Sequence, residues 1–139
     1  ARSNPAPVGS EVIADEMSFV IKGATRPADD IISAGNMFNT EPEEGEEYIL
    51  VDLEIKCLKS TDEKCSIGTY NFNILGDSGV SYDPDSFVSG VDGLLDFSSE
   101  FYGEASVSGT IPFMVKQTDT ELLLVYEPIF GDSFFLQVP

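Results

Sequence analysis

Alternation with a period of two runs through the middle of the chain. From Tyr48 to Cys57 the odd positions Ile49, Val51, Leu53, Ile55 and Cys57 are apolar, while Asp52, Glu54 and Lys56 stand between them. Successive side chains of an extended strand point to opposite faces, so this spacing predicts a strand with one buried and one wet side. Ala105–Val115 repeats the pattern with Val107, Ile111, Phe113 and Val115 inward. Pro112 has no N–H to give a ladder, which predicts an edge strand or a bulge there. Met17–Lys22 reads as a third strand, and Val12–Ala14, Tyr70–Leu75, Val80–Tyr82, Leu122–Tyr126 and Phe134–Val138 as shorter ones. The last two are nearly continuous in apolar residues, as expected of strands covered on both sides or near the centre of a sandwich. Turn signals separate the runs at Gly76–Gly79, Asp83–Asp85, Gln117–Thr120 and Gly131–Asp132. About eight short strands of this kind predict an all-β antiparallel sandwich or barrel.

Two stretches break the rhythm. Arg26–Gly45 holds Pro27, a possible helical turn at Ala28–Ala34, and the sequence Gly35-Asn36-Met37-Phe38-Asn39-Thr40. Phe87–Gly103 carries Val91, Leu94, Leu95, Phe97 and Phe101 among three glycines. Connections this long pack on the body of a domain or carry its function. Met37, Phe38, Asn39, Leu94, Leu95 and Phe97 are therefore the candidate binding residues. Met37–Phe38 and Ile129–Phe130 also admit a structural role, as plugs over the open ends of a sandwich, and that is the simpler expectation. Ala1–Gly9, with Pro5, Pro7 and Gly9, reads as a flexible linker ahead of a single domain over 10–139. Beginning at Ala1 without a Met, the chain is expected to be a processed or trimmed form.

Charge narrows the function classes. The 139 residues include 25 Asp and Glu against 7 Lys and Arg, a net charge of −18, and no His. Nucleic-acid backbones and anionic lipid both require clustered cations, so neither is an expected partner. Ten Phe and five Tyr within a 42% apolar composition supply a real core despite the charge. No apolar run approaches the ~18 residues of a membrane-spanning helix. Gly76-Asp77-Ser78-Gly79 looks like the surroundings of a serine-protease nucleophile, but no His exists to take the proton; a hairpin turn is the reading. Carboxylate pairs acting as glycosidase acid and base remain an alternative without any distinguished pair. A Ca²⁺ site among Asp77, Asp83 and Asp85, or Asp92, Asp96 and Glu100, is another, although neither set matches a twelve-residue calcium loop. Glu41–Glu47 reads as a solvated turn. Lys56, Lys59 and Lys64 gather near the cysteines, where they relieve repulsion from Asp62 and Glu63. No motif calls for a cofactor or a metal.

Cys57 and Cys65 flank a polar loop. Closing a ring of nine residues stabilises by about 2.6 kcal/mol in the chain-entropy model. A redox dithiol normally takes the Cys-X-X-Cys form, and two unpaired thiols are the remaining alternative. A structural disulfide is favoured, which predicts a secreted or cell-surface protein.

The stretches Asn4–Gly9, Met17–Thr25, Gly45–Leu53 and Gly103–Phe113 together resemble a bacterial family of domains of unknown function. That family is related to the mycobacterial immunoprotective extracellular protein. The resemblance covers roughly Val8 to Val138. It implies an immunoglobulin-like antiparallel β-sandwich, of about seven to nine strands, on a secreted or lipid-anchored protein. It supplies no catalytic residues. The Cys pair and the two long connections depart from the family pattern. The expected function is a non-catalytic extracellular or cell-surface binding or adhesion module with an unknown protein or glycan partner. A Ca²⁺-dependent structural spacer and a carboxylate-based carbohydrate-active enzyme are the alternatives.

Overall fold

The long alternating segment becomes the spine of the molecule. The computed structural model describes residues 1–139, in the order β1 (Glu11–Ala14), β2 (Met17–Thr25), α1 (Asp29–Gly35), β3 (Glu46–Cys57), β4 (Lys64–Ser66), β5 (Phe72–Gly76), β6 (Ser81–Tyr82), β7 (Glu100–Tyr102), β8 (Ser106–Lys116), β9 (Leu122–Tyr126) and β10 (Phe134–Gln137). Two four-stranded antiparallel sheets, ordered β1-β2-β3-β8 and β10-β9-β5-β6, pack as a sandwich, with a two-stranded ribbon of β4 and β7 beside them. Ile49, Val51, Leu53, Ile55 and Cys57 are all buried in the core between the sheets, while Asp52, Glu54 and Lys56 are exposed. There are ten strands, more than the seven to nine expected. The excess comes from the ribbon, whose three-residue strands each carry one buried residue, Cys65 or Phe101, between two exposed polar or aromatic ones.

Three local departures from simple alternation have physical causes. Lys22 is an extra residue in β2, because Ile21 pairs with Leu53 and Gly23 with Asp52. This bulge turns the strand so that Ala24, opposite Val51, faces the core again. Tyr70 is not in a strand: Thr69–Asn71 form a 3₁₀ turn, in which the Asn71 side chain accepts the Gly68 N–H and donates to the Glu127 carbonyl at 2.8 Å. Pro112 lies on the edge strand β8. Its even-numbered neighbours bond outward, Thr110 to Gly93 and Leu95, and Lys116 to the Tyr82 hydroxyl, so the missing N–H of Pro112 falls on the rim. The Pro112 carbonyl still accepts from Asp85 N–H at 2.8 Å. The long loop thus covers an edge that would otherwise be open.

The N-terminal half of β3 is buried on both faces. Tyr48 and Leu50 point away from the main core and meet Ala28 and Ile32 of the helical segment together with Val88. Ala28 N–H bonds Tyr48 C=O at 2.8 Å, the Asp29 carboxylate accepts Tyr48 N–H at 2.7 Å, and the Tyr48 hydroxyl donates to Thr40 C=O at 2.7 Å. Burial, followed by the nearby Asp85 carboxylate, pushes the Tyr48 phenol up to about 12. A second, smaller core therefore fastens α1 and both long connections to the outside of the first sheet. The N-terminal lead-in meets the fold at Ala6, which pairs in parallel with Leu136 through bonds of 2.8 and 2.9 Å.

A buried carboxylate fixes the β5–β6 hairpin. Asp119 is 1% exposed and accepts the Tyr82 hydroxyl and the Ser78 N–H, the latter at 2.9 Å. A Cβ on Gly76 would collide with its carboxyl group, so glycine leaves the room it occupies. The Tyr82 hydrogen bond, ahead of the others, holds Asp119 down at about 2 against its ordinary 3.8. The folded state is therefore favoured above pH 3.8, and this contribution drains away as pH falls toward 2. Asp119→Ala is expected to cost about 2 kcal/mol near neutrality, because the half-buried Tyr82 hydroxyl and the Ser78 N–H lose a charged acceptor. Melting curves should show wild type and variant converging as the pH approaches 2.

Candidate functional site

Two loops meet on the outer face of the first sheet, at the end where β3 begins. One joins α1 to β3 and the other joins β6 to β7. Their backbones touch at Gly35 and Gly90, where a Cβ on Gly35 would lie 2.8 Å from the Gly90 carbonyl oxygen. Gly90 has φ +78°, a conformation that L side chains rarely adopt. Three hydrogen bonds lock the contact. Asn36 Nδ2 donates to Ser89 Oγ at 2.9 Å, Asn39 Nδ2 donates to Ser89 C=O at 2.9 Å, and Ser89 N–H donates to Asn39 Oδ1 at 3.0 Å. Val88 anchors the second loop below, in the smaller core.

Three large apolar side chains stand above this clamp. Met37 is 81%, Phe38 85% and Phe87 92% exposed. Each phenylalanine is held by the side chain two residues before it: Asn36 Oδ1 accepts Phe38 N–H at 2.9 Å, and Asp85 Oδ1 accepts Phe87 N–H at 3.1 Å. These Asx turns and the cross-ties fix the backbone that displays the rings. Carboxylates line two hollows next to these loops. A hollow of about 410 Å³ beside Phe87 contains Asp83, Asp85 and Met114, and one of about 210 Å³ beside Asn39 contains Asp29, Asp30 and Glu41. Neither hollow is lined by a Lys or Arg.

The structure divides the residues singled out in the sequence. Met37 and Phe38 are exposed, which overturns the plug reading, and Asn39 forms part of the clamp. Leu94 pairs with Thr110 at the rim of β8, Leu95 is buried, and Phe97 packs on Phe72 at a ring distance of 5.9 Å. Leu95 and Phe97 thus pack against the main core, and Leu94 is tied to β8 through its backbone. Phe87 is the exposed aromatic of that loop, and its signal was the Asp85-Ser86-Phe87 spacing of an Asx turn. Ile129 and Phe130 are no plugs either, being 71% and 89% exposed at the opposite end. Their loop makes no hydrogen bond between Pro128 and Ser133, in contrast to the cross-tied pair.

The remaining candidates resolve into structural roles. Cys57 and Cys65 form the disulfide, with Cα atoms 5.8 Å apart. Lys64 pairs with Glu100 at 2.6 Å, not with Asp62 or Glu63 as expected, and Lys59 caps the Lys64 carbonyl. No three acidic side chains converge as a metal cage. Asp77 instead accepts backbone N–H groups of Thr120 and Glu121, and Asp96 accepts from Ser98. The largest hollow, about 550 Å³, lies between the lead-in and the second sheet near Arg2, Val8, Leu75 and Leu123. Arg2, Asp77, Glu121 and Gln137 give it a mixed polar and apolar lining. No helix is long and apolar enough to cross a membrane.

The family model for a domain of unknown function, DUF4352, matches residues 6–134. The chain belongs to the DUF4352 family. No curated protein matches it. Among solved structures, the DUF4352 chain is similar to the YjhA protein of Bacillus subtilis, with a TM-score of 0.68 and 12% identity over 96% of this chain and 99% of that one. MPT63, a secreted protein from Mycobacterium tuberculosis, aligns with a TM-score of 0.67 and 9% identity over 97% and 98% of the two chains. A candidate lipoprotein of Bacillus subtilis, YcdA, aligns with a TM-score of 0.64 and 16% identity over 92% of this chain. The chain spans only 38% of the length of YcdA. At these identities the likeness establishes the fold: an immunoglobulin-like β-sandwich.

Proposed function

We propose that this DUF4352 domain is a non-catalytic binding module that works outside the cell or at its surface and holds its partner with the tip formed by Met37, Phe38 and Phe87. The observation that carries the reading is the exposure of these three side chains on two loops tied rigidly together. Isolated exposed hydrophobic residues are ordinary, whereas a preorganised group of them lowers the ordering cost of binding. The disulfide supports an oxidising location, as do the secreted and lipoprotein descriptions of MPT63 and YcdA. Burial of two phenylalanines and a methionine is worth about 1.5–3 kcal/mol each. Association costs about 4–15 kcal/mol, so the apolar tip alone gives weak binding and polar contacts around it must contribute.

The test separates binding from folding. The double variant Phe38→Ser, Phe87→Ser is expected to unfold within about 0.5 kcal/mol of wild type, since neither side chain touches the core. Its saturable binding to the surface of the producing cells should fall at least about tenfold. Unchanged surface binding would remove the tip from the function.

A further inference from the structure

Two hollows lined by carboxylates lie beside the loops of the tip and point to what the tip takes. Resting on the binding reading above, we infer that the partner is a cationic polypeptide segment, with Lys or Arg side chains alternating with apolar ones. Phe87 lines a hollow with Asp83 and Asp85, and Asn39, the residue after Phe38, lines another with Asp29, Asp30 and Glu41. Asp30, Glu41 and Asp83 are exposed, and none forms a side-chain hydrogen bond or an ion pair within the chain. Of the basic residues nearby, Arg26 is already engaged by Glu47 at 2.8 Å and by the Lys116 carbonyl, and Lys116 forms no ion pair with any of the three. Their charge is thus left for an outside cation. An apolar side chain of the partner covers the aromatic tip while its Lys or Arg neighbours reach the hollows, and a guanidinium also stacks well on a phenylalanine face. An anionic membrane is repelled by the same carboxylates. A second copy of the chain brings net charge −18 against −18, which disfavours apolar tip-to-tip pairing.

Defined probes test this on the intact domain. A fluorescent peptide alternating arginine with leucine is expected to bind saturably at about 0.15 M salt, and its glutamate-for-arginine counterpart is not. Amide shifts in an NMR titration should centre on Phe38, Ser89 and Phe87. Asp30→Asn, Glu41→Gln, Asp83→Asn together should weaken binding at least about tenfold. Glu54→Gln, Asp62→Asn, Glu104→Gln remove the same charge far from the tip and should weaken it less than about twofold. Equal weakening by both sets would show only diffuse attraction to an acidic protein and would overturn the inference. So would binding to phosphatidylglycerol vesicles abolished by Phe38→Ser, or a dimer in sedimentation that dissociates on Phe38→Ser. If the peptide fails while the Phe38→Ser, Phe87→Ser variant still loses surface binding, the cationic partner falls and the tip reading stands.

Discussion

Phe19→Ala is expected to lower stability by roughly 4 kcal/mol, the largest effect of any single substitution considered. Truncating a buried phenylalanine typically costs about 3–5 kcal/mol, transfer and cavity terms together. Phe19 falls high in that range because it comes from the first sheet and reaches into the aromatic cluster of the second. Its ring centroid is 4.5 Å from Tyr126 and 6.2 Å from Phe72, the latter edge-to-face. It is only 1% exposed, and the gap left against the Tyr126 and Phe72 rings would be apolar, so no water fills it favourably. Tyr126 is itself fixed, its hydroxyl donating to Asp15 at 2.7 Å, and cannot collapse into the gap. Chemical denaturation should show the midpoint falling with an unchanged slope. A loss below about 1 kcal/mol would mean that the two sheets are not held together at this point.

Removing the bridge with Cys57→Ala, Cys65→Ala is expected to cost about 3 kcal/mol. Ring closure accounts for most of that, about 2.6 kcal/mol for a loop of this size. The rest follows from burial: Cys57 is fully buried and Cys65 is 2% exposed, so two sulfur atoms leave the core. The bridge is the covalent tie between β3 and the small ribbon, whose three-residue strands cannot hold themselves. The loss should therefore be concentrated there, with faster amide exchange at Lys64–Ser66 and Glu100–Tyr102 than at Ile49–Ile55. Full retention of protection in the ribbon would contradict this.

How far the fold can be read from the residues depends on how many neighbours each element needs. β3, β8 and β9 were legible because their own alternation or apolar continuity suffices. β2 was legible only to Lys22, where the bulge shifts the inward set and the alternation lapses. β4 and β7 were hidden because one apolar residue in three carries no period; their pairing is imposed by the disulfide and the tertiary fold. The disulfide was legible from its spacing across a polar loop. The tip was half legible. Met37 and Phe38 stand out beside Gly35 and Asn36, but their exposure is decided by the Gly35–Gly90 contact, a meeting of residues more than fifty positions apart. Leu94, Leu95 and Phe97 looked equivalent to Phe87 in composition, yet Gly93 and Leu95 bond to Thr110 and draw that segment onto the body.

Two equally exposed phenylalanines at opposite ends allow a decisive comparison. Phe38 sits on the clamped loops, and Phe130 sits on a loop without internal ties. A photo-crosslinking phenylalanine analogue placed at position 38 in one sample and at 130 in the other, each applied to the producing cells, reports which end meets a partner. The clamped tip predicts a discrete adduct from position 38 and none from position 130. Adducts from 130 alone, or equally from both, would contradict it.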